Sequence, residues 1–468
     1  MSDTMVPARE LILDIESPAA GGTSIARHDG QVVFVSGTLP GERVRAVTEA
    51  GPAGRFLRAE VVEVLEASPH RVPDRRAAYA PAGRAADRAA NGRLGSAEFG
   101  GMEYAHVDLA HSRTLKAEVL TDQLSRIGHI DRDVEVRSAP GETDGTDWRT
   151  RVQLAVDADG RVGMLAPRSH DVVPVATPPL AAGALHYLEL DALRLPGVRR
   201  LEFAWAGDHG ALIVRGAPSG ESLETLENWL PDSFSLLAEA AAGESGDDRR
   251  SGDRKPGRSV GQPRGRGSRG KGRGPSTSGP AELRVIRGGP TLTETVSGRD
   301  FTVGADGFWQ VHRSAAELLS STVISALPDR VEAIADLYCG VGLLGIGAAG
   351  ATGAPLFGVE GVTSAIEYAR ANAGDLDARF LARGVDRTRL PDSDVIILDP
   401  PRAGAGQAVT SALIGSRART LVYVSCDPAT LARDLGRLTA GGFDIESLTG
   451  HDLFPLTAHL ETVTVLRR

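Results

Sequence analysis

The chain has 468 residues and is 41% hydrophobic, which suits two to four folded domains and excludes a chain that is disordered throughout. Its two cysteines exclude a disulfide framework and a site built from four thiolates. The net charge of -9 argues against a nucleic-acid partner on average, but residues 249–273 hold ten Lys and Arg against one acid, and local basic density is the relevant footprint.

The first 70 residues predict a small closed β-barrel of the OB type. Strand-like runs over residues 8–68 alternate with turns such as Asp29-Gly30 and Pro40-Gly41. Such a barrel is a frequent host for single-stranded nucleic acid, although a barrel that only stabilises its neighbour fits equally well. Residues 1–13 lack the layout of a signal peptide, and no apolar run approaches the roughly 18 residues that span a bilayer. We therefore expect a cytoplasmic protein with no membrane partner.

A central α+β domain is predicted over residues 71–299. Apolar residues recur at helical spacing over residues 105–127, and residues 151–165 read as a hairpin about the turn Asp159-Gly160. Residues 243–280 are rich in Gly, Ser, Arg and Pro, so we predict a disordered insertion there. Its Arg-Gly repeats resemble RNA-associated tails, and a solvated spacer explains them equally well.

From residue 300 to residue 468, predicted strands and helices alternate as a doubly wound α/β sheet requires. The predicted strands cover residues 334–338, 356–360, 395–398, 421–424 and 459–466. Ligands of such sheets bind at the carboxyl ends of the strands. The residues that follow each strand are therefore the candidates for chemistry.

The first two of these strands predict a nucleotide-type site. Gly340 and Gly342 follow the first strand and would let the backbone approach a ligand, and Glu360 ends the next strand, where an acid can bind a ribose diol. Asp399, followed by two prolines and Arg402, ends a third strand and suits a cofactor or a planar base. Ordinary tight turns and a helix cap are the alternative interpretation.

Cys426 follows a further strand, beside polar residues and just before a helix start that could lower its pKa. Position alone leaves open whether it is a nucleophile or a small buried hydrophobe. Cys339 is expected to pack inside the glycine turn. His459 and Glu461 alternate with apolar residues at the last strand, so each is a candidate base.

Several segments together resemble the RNA 5-methyluridine methyltransferase family. They occur in the family's order and are, within this sequence, residues 308–312 (Phe-Trp-Gln-Val-His), 336–342 (Asp-Leu-Tyr-Cys-Gly-Val-Gly), 399–402 (Asp-Pro-Pro-Arg), 423–434 (beginning Tyr-Val-Ser-Cys-Asp-Pro) and 454–461 (Phe-Pro-Leu-Thr-Ala-His-Leu-Glu). The N-terminal barrel resembles the TRAM domain that many members carry for RNA. The resemblance covers most of the chain and leaves the arginine-rich insertion outside it.

The resemblance implies a class I methyltransferase domain of Rossmann-like fold that methylates carbon 5 of a uridine in RNA. It implies S-adenosylmethionine as the methyl donor, bound by Gln310, Tyr338, Gly340, Gly342, Glu360 and Asp399. Cys426 would add to carbon 6 of the base, and Glu461 would remove the proton from carbon 5. The implied partner is RNA, either ribosomal or transfer RNA, and the implied oligomeric state is a monomer.

One segment departs from the family pattern. Many members bind a [4Fe–4S] cluster through four cysteines, two of them in a Cys-Gly-Gly-Cys run, where this chain has Phe99-Gly100-Gly101-Met102. Phe and Met supply no thiolate, so we expect no iron–sulfur cluster, no metal, and packed apolar side chains instead. Asp427 and His312 each replace an asparagine of the family.

Two other functions remain open from the sequence. Cytosine-5 methylation of RNA also uses a cysteine, and a non-catalytic RNA-binding or ribosome-assembly factor could keep the same fold. The Ser-Cys-Asp-Pro run at residues 425–428 together with Glu461 favours uridine over cytosine. The combination of Cys426, Glu461 and the glycine turn argues against a non-catalytic factor.

Overall fold

The computed structural model describes residues 5–52, 54–80, 99–240 and 282–468. The predicted insertion at residues 243–280 and the basic stretch at residues 249–273 lie outside these described residues. Short helical turns occur at Arg75–Tyr79, Leu124–Gly128, Gly183–Tyr187 and Val385–Arg387. Within the described residues, no helix is long and apolar enough to cross a membrane.

The N-terminal region forms the predicted barrel. Five strands close it in the order β2-β3-β4-β7-β5, and β1 pairs with β6 beside it. Along β2 and β5, buried and exposed side chains alternate because successive residues point to opposite faces of a strand. The strands are β1 (Met5–Val6), β2 (Glu10–Ala19), β3 (Thr23–His28), β4 (Gln31–Ser36), β5 (Arg43–Thr48), β6 (Gly51–Pro52) and β7 (Phe56–Glu66).

The barrel touches the rest of the molecule at the turn between β2 and β3. Gly22 has a φ of +76°, and a Cβ there would lie 2.5 Å from the Cβ of Glu103 and 3.1 Å from that of Ala458. A side chain at this position would therefore push the barrel away. Behind this contact, Arg71 donates to the buried carboxylate of Glu42 at 2.6 Å, which fixes the exit of the chain from the barrel.

The central sheet has seven strands in the order β11-β10-β9-β12-β13-β14-β15. The predicted hairpin is confirmed, since β9 and β10 pair antiparallel on either side of the Asp159-Gly160 turn. The elements are β9 (Arg151–Val156), β10 (Val162–Leu165), β11 (Val172–Pro174), β12 (Val198–Ala206), β13 (His209–Gly216), α2 (Gly220–Trp229), β14 (Phe234–Glu239) and β15 (Leu283–Arg287). A separate hairpin follows, formed by β16 (Thr291–Val296) and β17 (Arg299–Gly304).

The C-terminal region is the predicted Rossmann-like α/β fold. Its eight-stranded sheet has the order β20-β19-β18-β21-β22-β24-β23-β8, where β8 is Glu135–Ser138. The five strands from β20 to β22 in this order are parallel, and β24 is antiparallel to β22. The elements are α3 (Ala315–Ser325), β18 (Ile334–Leu337), α4 (Leu343–Thr352), β19 (Leu356–Glu360), α5 (Thr363–Asn372), β20 (Ala378–Ala382), β21 (Val395–Leu398), α6 (Gly406–Ile414), β22 (Thr420–Ser425), α7 (Pro428–Ala440), β23 (Asp444–Asp452) and β24 (Glu461–Arg467). The parallel strands are buried on both faces, as covering helices require.

Two elements from before residue 300 complete this C-terminal sheet. Helix α1 (Leu109–Gln123) begins where the Asp108 side chain accepts a hydrogen bond from the His111 N–H at 3.1 Å. Its Leu120 packs in one core with Leu431 of α7, and β8 (Glu135–Ser138) pairs in parallel with β23. Residues 109–138 therefore pack with the C-terminal sheet rather than with the central one. The predicted domain boundaries at residues 70 and 299 stay predictions.

Candidate active site

A cavity of about 2420 Å³ lies at the carboxyl ends of β18, β19, β21 and β22 and extends to the central sheet and the barrel. The sequence-predicted residues that line it are Gln310, Tyr338, Gly340, Glu360, Asp399, Cys426 and Glu461. Carboxyl ends of parallel strands meet at one sheet edge, which is why residues far apart in sequence converge here. Gly342 is the one predicted site residue that does not line the cavity.

The glycine turn after β18 serves two purposes. Gly340 has a φ of +54°, and an added Cβ would meet nothing within 4 Å, so the backbone there is open to a ligand. Gly342 has a φ of +98°, and a Cβ would lie 2.4 Å from the Ile346 side chain. Glycine at this position is therefore explained by the turn and by helix packing, and the contact of Gly342 with the methyl donor stays a prediction. Cys339 is buried beneath the turn, as expected.

Glu360 stands at the end of β19 beside this turn. One carboxylate oxygen accepts a hydrogen bond from the Gly340 N–H at 3.3 Å, and the other accepts from the Val362 N–H at 2.9 Å. These bonds hold the carboxylate at the cavity wall, where it suits a ribose diol. Asp336 is fully buried and accepts from the Gly345 N–H at 2.9 Å; burial raises its pKa to about 8, so it anchors the start of α4 as a neutral acid.

Gln310 and Asp399 meet across the cavity. The Gln310 amide donates to the Asp399 carboxylate at 3.4 Å, and burial raises the pKa of Asp399 to about 6 while this bond opposes the rise. Nearby, His312 stacks on Trp148 with ring centroids 5.6 Å apart and accepts from the Ser314 N–H at 3.0 Å. Burial lowers the pKa of His312 to about 4, so the neutral ring provides this acceptor.

Cys426 and Glu461 lie at the same end of the β22–β24 strand pair. Ser425 pairs with Thr462 at this end, and Cys426, which follows β22, and Glu461, which begins β24, are the residues next to that last pair and both line the cavity. The Thr462 hydroxyl donates to the Ser425 carbonyl at 2.9 Å, which fixes this register. The cysteine and the glutamate are therefore brought together by strand pairing, although 35 positions separate them in the chain.

The Cys426 thiol is half-buried, and its pKa is raised to about 12. Burial is the largest cause, the carboxylates of Glu461 and Asp399 add to it, and Arg402 opposes it. The expected lowering of this pKa by the helix start is therefore wrong for the structure. The Asp427 side chain accepts from the Thr430 N–H at 2.9 Å and so occupies the N-terminus of α7 with a carboxylate of its own.

Glu461 is buried at the first position of β24. Among the described residues, no donor reaches its Oε1 atom. Burial, reinforced by Asp399, raises its pKa well above the usual range, and Arg402 opposes this rise. This is the direction expected for a carboxyl group in a dry pocket.

Arg402 is the positive charge that lowers the pKa values of Cys426, Glu461 and His459. Its guanidinium lies 3.5 Å from the Nε2 atom of His459. Burial, followed by Arg402, lowers the pKa of His459, so this histidine is neutral near pH 7. Sequence reasoning placed Arg402 in a motif but assigned it no role; its position after a strand end was the available signal.

The Phe99–Met102 segment lies on the same cavity wall with a different chemistry. Phe99 and Met102 are buried in the central core, and the Phe99 ring contacts Tyr79 edge-on at 6.4 Å. The prediction of packed apolar side chains at this position is confirmed. Within the residues that the structure describes, no group of three or more His, Cys, Asp or Glu side chains is arranged to hold a metal ion, and the residues here do not fit an iron–sulfur cluster.

Sequence reasoning missed two buried groups that hold the loops of the site. Asp434 accepts from the Ala405 N–H at 2.8 Å and from the Tyr423 hydroxyl at 3.1 Å, which holds the chain after the Asp-Pro-Pro-Arg run. Lys116 of α1 binds Asp452 at the end of β23. The pairing of Lys116 with Asp452 has no local sequence signal, because the two residues lie 336 positions apart in the chain.

Comparisons with known proteins concern the family and the fold of the chain. The family model for tRNA (uracil-5-)-methyltransferase matches residues 362–468, and that for the TRAM domain matches residues 9–62. An uncharacterized RNA methyltransferase of Streptomyces coelicolor is 34% identical over 98% of this chain and 92% of its own length. One from Bifidobacterium longum is 32% identical over 97% of this chain and 96% of its own.

Among solved structures, the Pyrococcus abyssi tRNA (uracil-54, C5)-methyltransferase in complex with S-adenosyl-L-homocysteine has the same fold. Its TM-score is 0.67 at 20% identity, with 97% of this chain and all of that chain covered. The fold and the full-length relatives define an RNA methyltransferase. The chain belongs to the RNA 5-methyluridine methyltransferase family and carries its TRAM domain.

Proposed function

We propose that this enzyme methylates carbon 5 of a uridine in structured RNA through a covalent bond between Cys426 and carbon 6 of the base. The observation that carries the proposal is the pairing of β22 with β24, which brings Cys426 and Glu461 to the same end of the strand pair at the edge of the cavity. A nucleophile and a base on facing strands can act on adjacent carbons of one planar ring.

The other end of the cavity fits the methyl donor. S-adenosylmethionine supplies an electrophilic methyl group when bound. Glu360 would hold its ribose, and the open backbone at Gly340 would allow close approach. Gln310 and Tyr338 complete this end, and Asp399, bonded to Gln310, would contact the donor or the target base.

Cys426 begins the reaction. Its thiolate adds to carbon 6 of the uracil, forming an S–C bond and moving the ring electrons into an enolate that makes carbon 5 nucleophilic. Because Arg402 favours the anionic form while Glu461 and Asp399 disfavour it, the thiolate forms most readily when the two carboxyl groups are protonated. Arg402 therefore supports the nucleophile.

Glu461 completes the reaction. Once carbon 5 carries the methyl group, the Glu461 carboxylate removes the remaining proton from carbon 5, the S–C6 bond breaks, and the cysteine leaves as a thiolate. The proton lost by the Cys426 thiol and the proton held by Glu461 must both pass to solvent through the cavity before this step, and Arg402, which lowers the pKa of Glu461, favours the carboxylate that the step needs.

The RNA would enter from the side of the barrel and the central sheet. Gly22 of the barrel and Arg149, Arg168 and Arg200 of the central region line the same cavity as Cys426. A base in a helix cannot reach a cysteine at a sheet edge, so the target uridine must leave its stack. Basic side chains along the cavity would bind the flanking phosphates.

RNA containing 5-fluorouridine tests the proposal, because a fluorine at carbon 5 cannot be removed as a proton. With S-adenosylmethionine present, we expect a stable RNA–protein adduct on a denaturing gel, and none with Cys426→Ala. An adduct that persists in Cys426→Ala would refute the nucleophile assignment. Mass spectrometry of ordinary tRNA and rRNA transcripts should show 5-methyluridine; 5-methylcytidine, or RNA binding with no methylation, would favour the two alternative functions.

A further inference from the structure

The position of Glu461 is set by the backbone that leads to it rather than by hydrogen bonds of its own carboxylate. Its Oε1 atom is buried, and no donor among the described residues reaches it. The chain arrives from β23 through residues 453–460, here called the hairpin connection, and Glu461 is the first residue after it. Whatever holds the hairpin connection therefore decides where the carboxylate lies.

Lys116 binds the start of this hairpin connection. Its ammonium donates to Asp452 Oδ1 at 2.5 Å and to the Phe454 carbonyl at 3.0 Å, which ties helix α1 to two positions on either side of Leu453. The Lys116 side chain is 1% exposed and that of Asp452 is not exposed at all. This contact is therefore dry, and water cannot replace it.

Further hydrogen bonds that start at the Phe454 carbonyl hold the rest of the hairpin connection. That oxygen also accepts from the Thr457 hydroxyl at 2.8 Å, and the same hydroxyl oxygen accepts from the His459 N–H at 3.1 Å. A short chain of hydrogen bonds thus runs from Lys116 to within two residues of Glu461. On the other flank, the Ala458 N–H donates to Glu103 at 3.3 Å.

A buried ion pair is a poor way to gain stability, because two charges lose their hydration and an apolar pair of similar size would often serve as well. Asp452 moreover leaves its Oδ2 atom without a partner among the described residues. What the lysine provides that an apolar residue cannot is a donor to the Phe454 carbonyl at a defined distance. The Lys116–Asp452 pair is thus better explained by the position it gives to the Phe454 carbonyl than by a contribution to the stability of the fold.

We propose that Lys116 is a positioning residue for proton removal, holding the hairpin connection through Asp452 and the Phe454 carbonyl so that the Glu461 carboxylate faces carbon 5 of the bound base. This inference rests on the proposed role of Glu461. It assigns Lys116 no contact with RNA or with the methyl donor, since the side chain is buried away from both.

The test uses the full-length protein, S-adenosylmethionine and an unmodified tRNA or rRNA transcript that the wild type methylates. In Lys116→Met we expect kcat to fall by about 10- to 100-fold, the range for a small displacement of a reacting group, with the KM values for RNA and donor unchanged. Because proton removal is the step affected, methylated RNA should accumulate as a covalent complex with Cys426. Lys116→Arg, which keeps donors near both oxygens, should recover part of kcat.

A second variant separates positioning from folding. Lys116→Met alone leaves the Asp452 charge buried and unpaired, so it also lowers the melting temperature. In Lys116→Met/Asp452→Leu no charge is left, and the melting temperature should return toward that of the wild type while kcat stays low and the covalent complex still accumulates. Recovery of kcat together with the melting temperature would overturn the proposal.

Controls keep the two proposals apart. Arg132→Met removes a side chain that donates to the Ile445 carbonyl at the far end of β23, so it loosens the same hairpin without touching the hairpin connection, and its kcat should match the wild type. Glu461→Gln should accumulate the covalent complex. If Glu461→Gln behaves so and Lys116→Met does not, only the positioning role fails; if Glu461→Gln also turns over normally, the proposed function of Glu461 fails first.

Discussion

Two parts of the cavity wall, the β22–β24 junction and the Phe99–Met102 segment, differ in the polarity of their buried side chains. At the junction of β22 and β24, Glu461 is buried and Cys426 is half-buried, and burial raises the pKa of each. At the Phe99–Met102 segment, the side chains are apolar and packed against Tyr79 in the central core. Buried polar groups without partners cost stability, whereas packed apolar groups supply it.

The comparison teaches where function is concentrated in this molecule. The β22–β24 junction keeps groups that the fold would be more stable without, which is the usual signature of chemistry. The Phe99–Met102 segment forms part of the cavity wall and contributes packed apolar side chains but no reactive group. Substitutions at the first place should therefore change rate, and substitutions at the second should change stability.

The largest expected effect is on the nucleophile. Cys426→Ala should lower methyl transfer by at least about 1000-fold, since the reaction loses its covalent route. Transfer of radiolabelled methyl groups to RNA measures this, and the melting temperature should not fall. Cys339→Ala is the matched control, because it removes the other, buried cysteine and should leave the rate constant near its wild-type value. Equal losses of methyl-transfer rate in the two variants would contradict the assignment of Cys426 as the nucleophile.

Glu461→Gln should lower kcat by about 100- to 10 000-fold, the range for loss of a positioned acid or base. The variant should retain attack by Cys426, so RNA already methylated at carbon 5 should remain attached to the protein. Denaturing gels and mass spectrometry of the complex measure this. Normal turnover would contradict the assignment and direct attention to His459 instead.

On the packed side of the comparison, Met102→Ala should lower the free energy of unfolding by about 2–5 kcal/mol, because it opens a cavity in a full core. Denaturant unfolding measures this. The kcat of the folded variant, assayed well below its melting temperature, should stay within a few-fold of the wild type. A loss of kcat with unchanged stability would show that this segment takes part in the chemistry after all.

The smallest effect is on pH dependence. Asp336 has a pKa of about 8 in the folded protein, above its ordinary value near 3.8, so the folded state binds a proton that the unfolded state releases. Its contribution to stability is therefore present below about pH 4 and is lost as the pH rises toward 8. Melting temperatures from pH 4 to 8 should fall less steeply in Asp336→Asn; an unchanged slope would show that Asp336 is ionised in the fold.

Much of the site was predictable because strand ends carry it. Cys426, Asp399 and Glu360 each follow a strand that is hydrophobic enough to recognise, and parallel strands must bring their carboxyl ends together. Strand β23 was not predicted, because its first half alternates poorly and is largely exposed. The contribution of β8 to the same sheet was also missed, since a four-residue strand gives little periodic signal.

The sequence by itself determined the order of the folded regions, the glycine turn, the nucleophile and base candidates, and the apolar replacement at Phe99 and Met102, because each depends on local pattern or residue type. Only the tertiary structure decided the pKa of Cys426, which depends on Glu461 and Asp399 from other strands and on the Asp427 cap. It also decided the partner of Lys116, because a buried charge gives no local indication of the carboxylate that packing will bring to it.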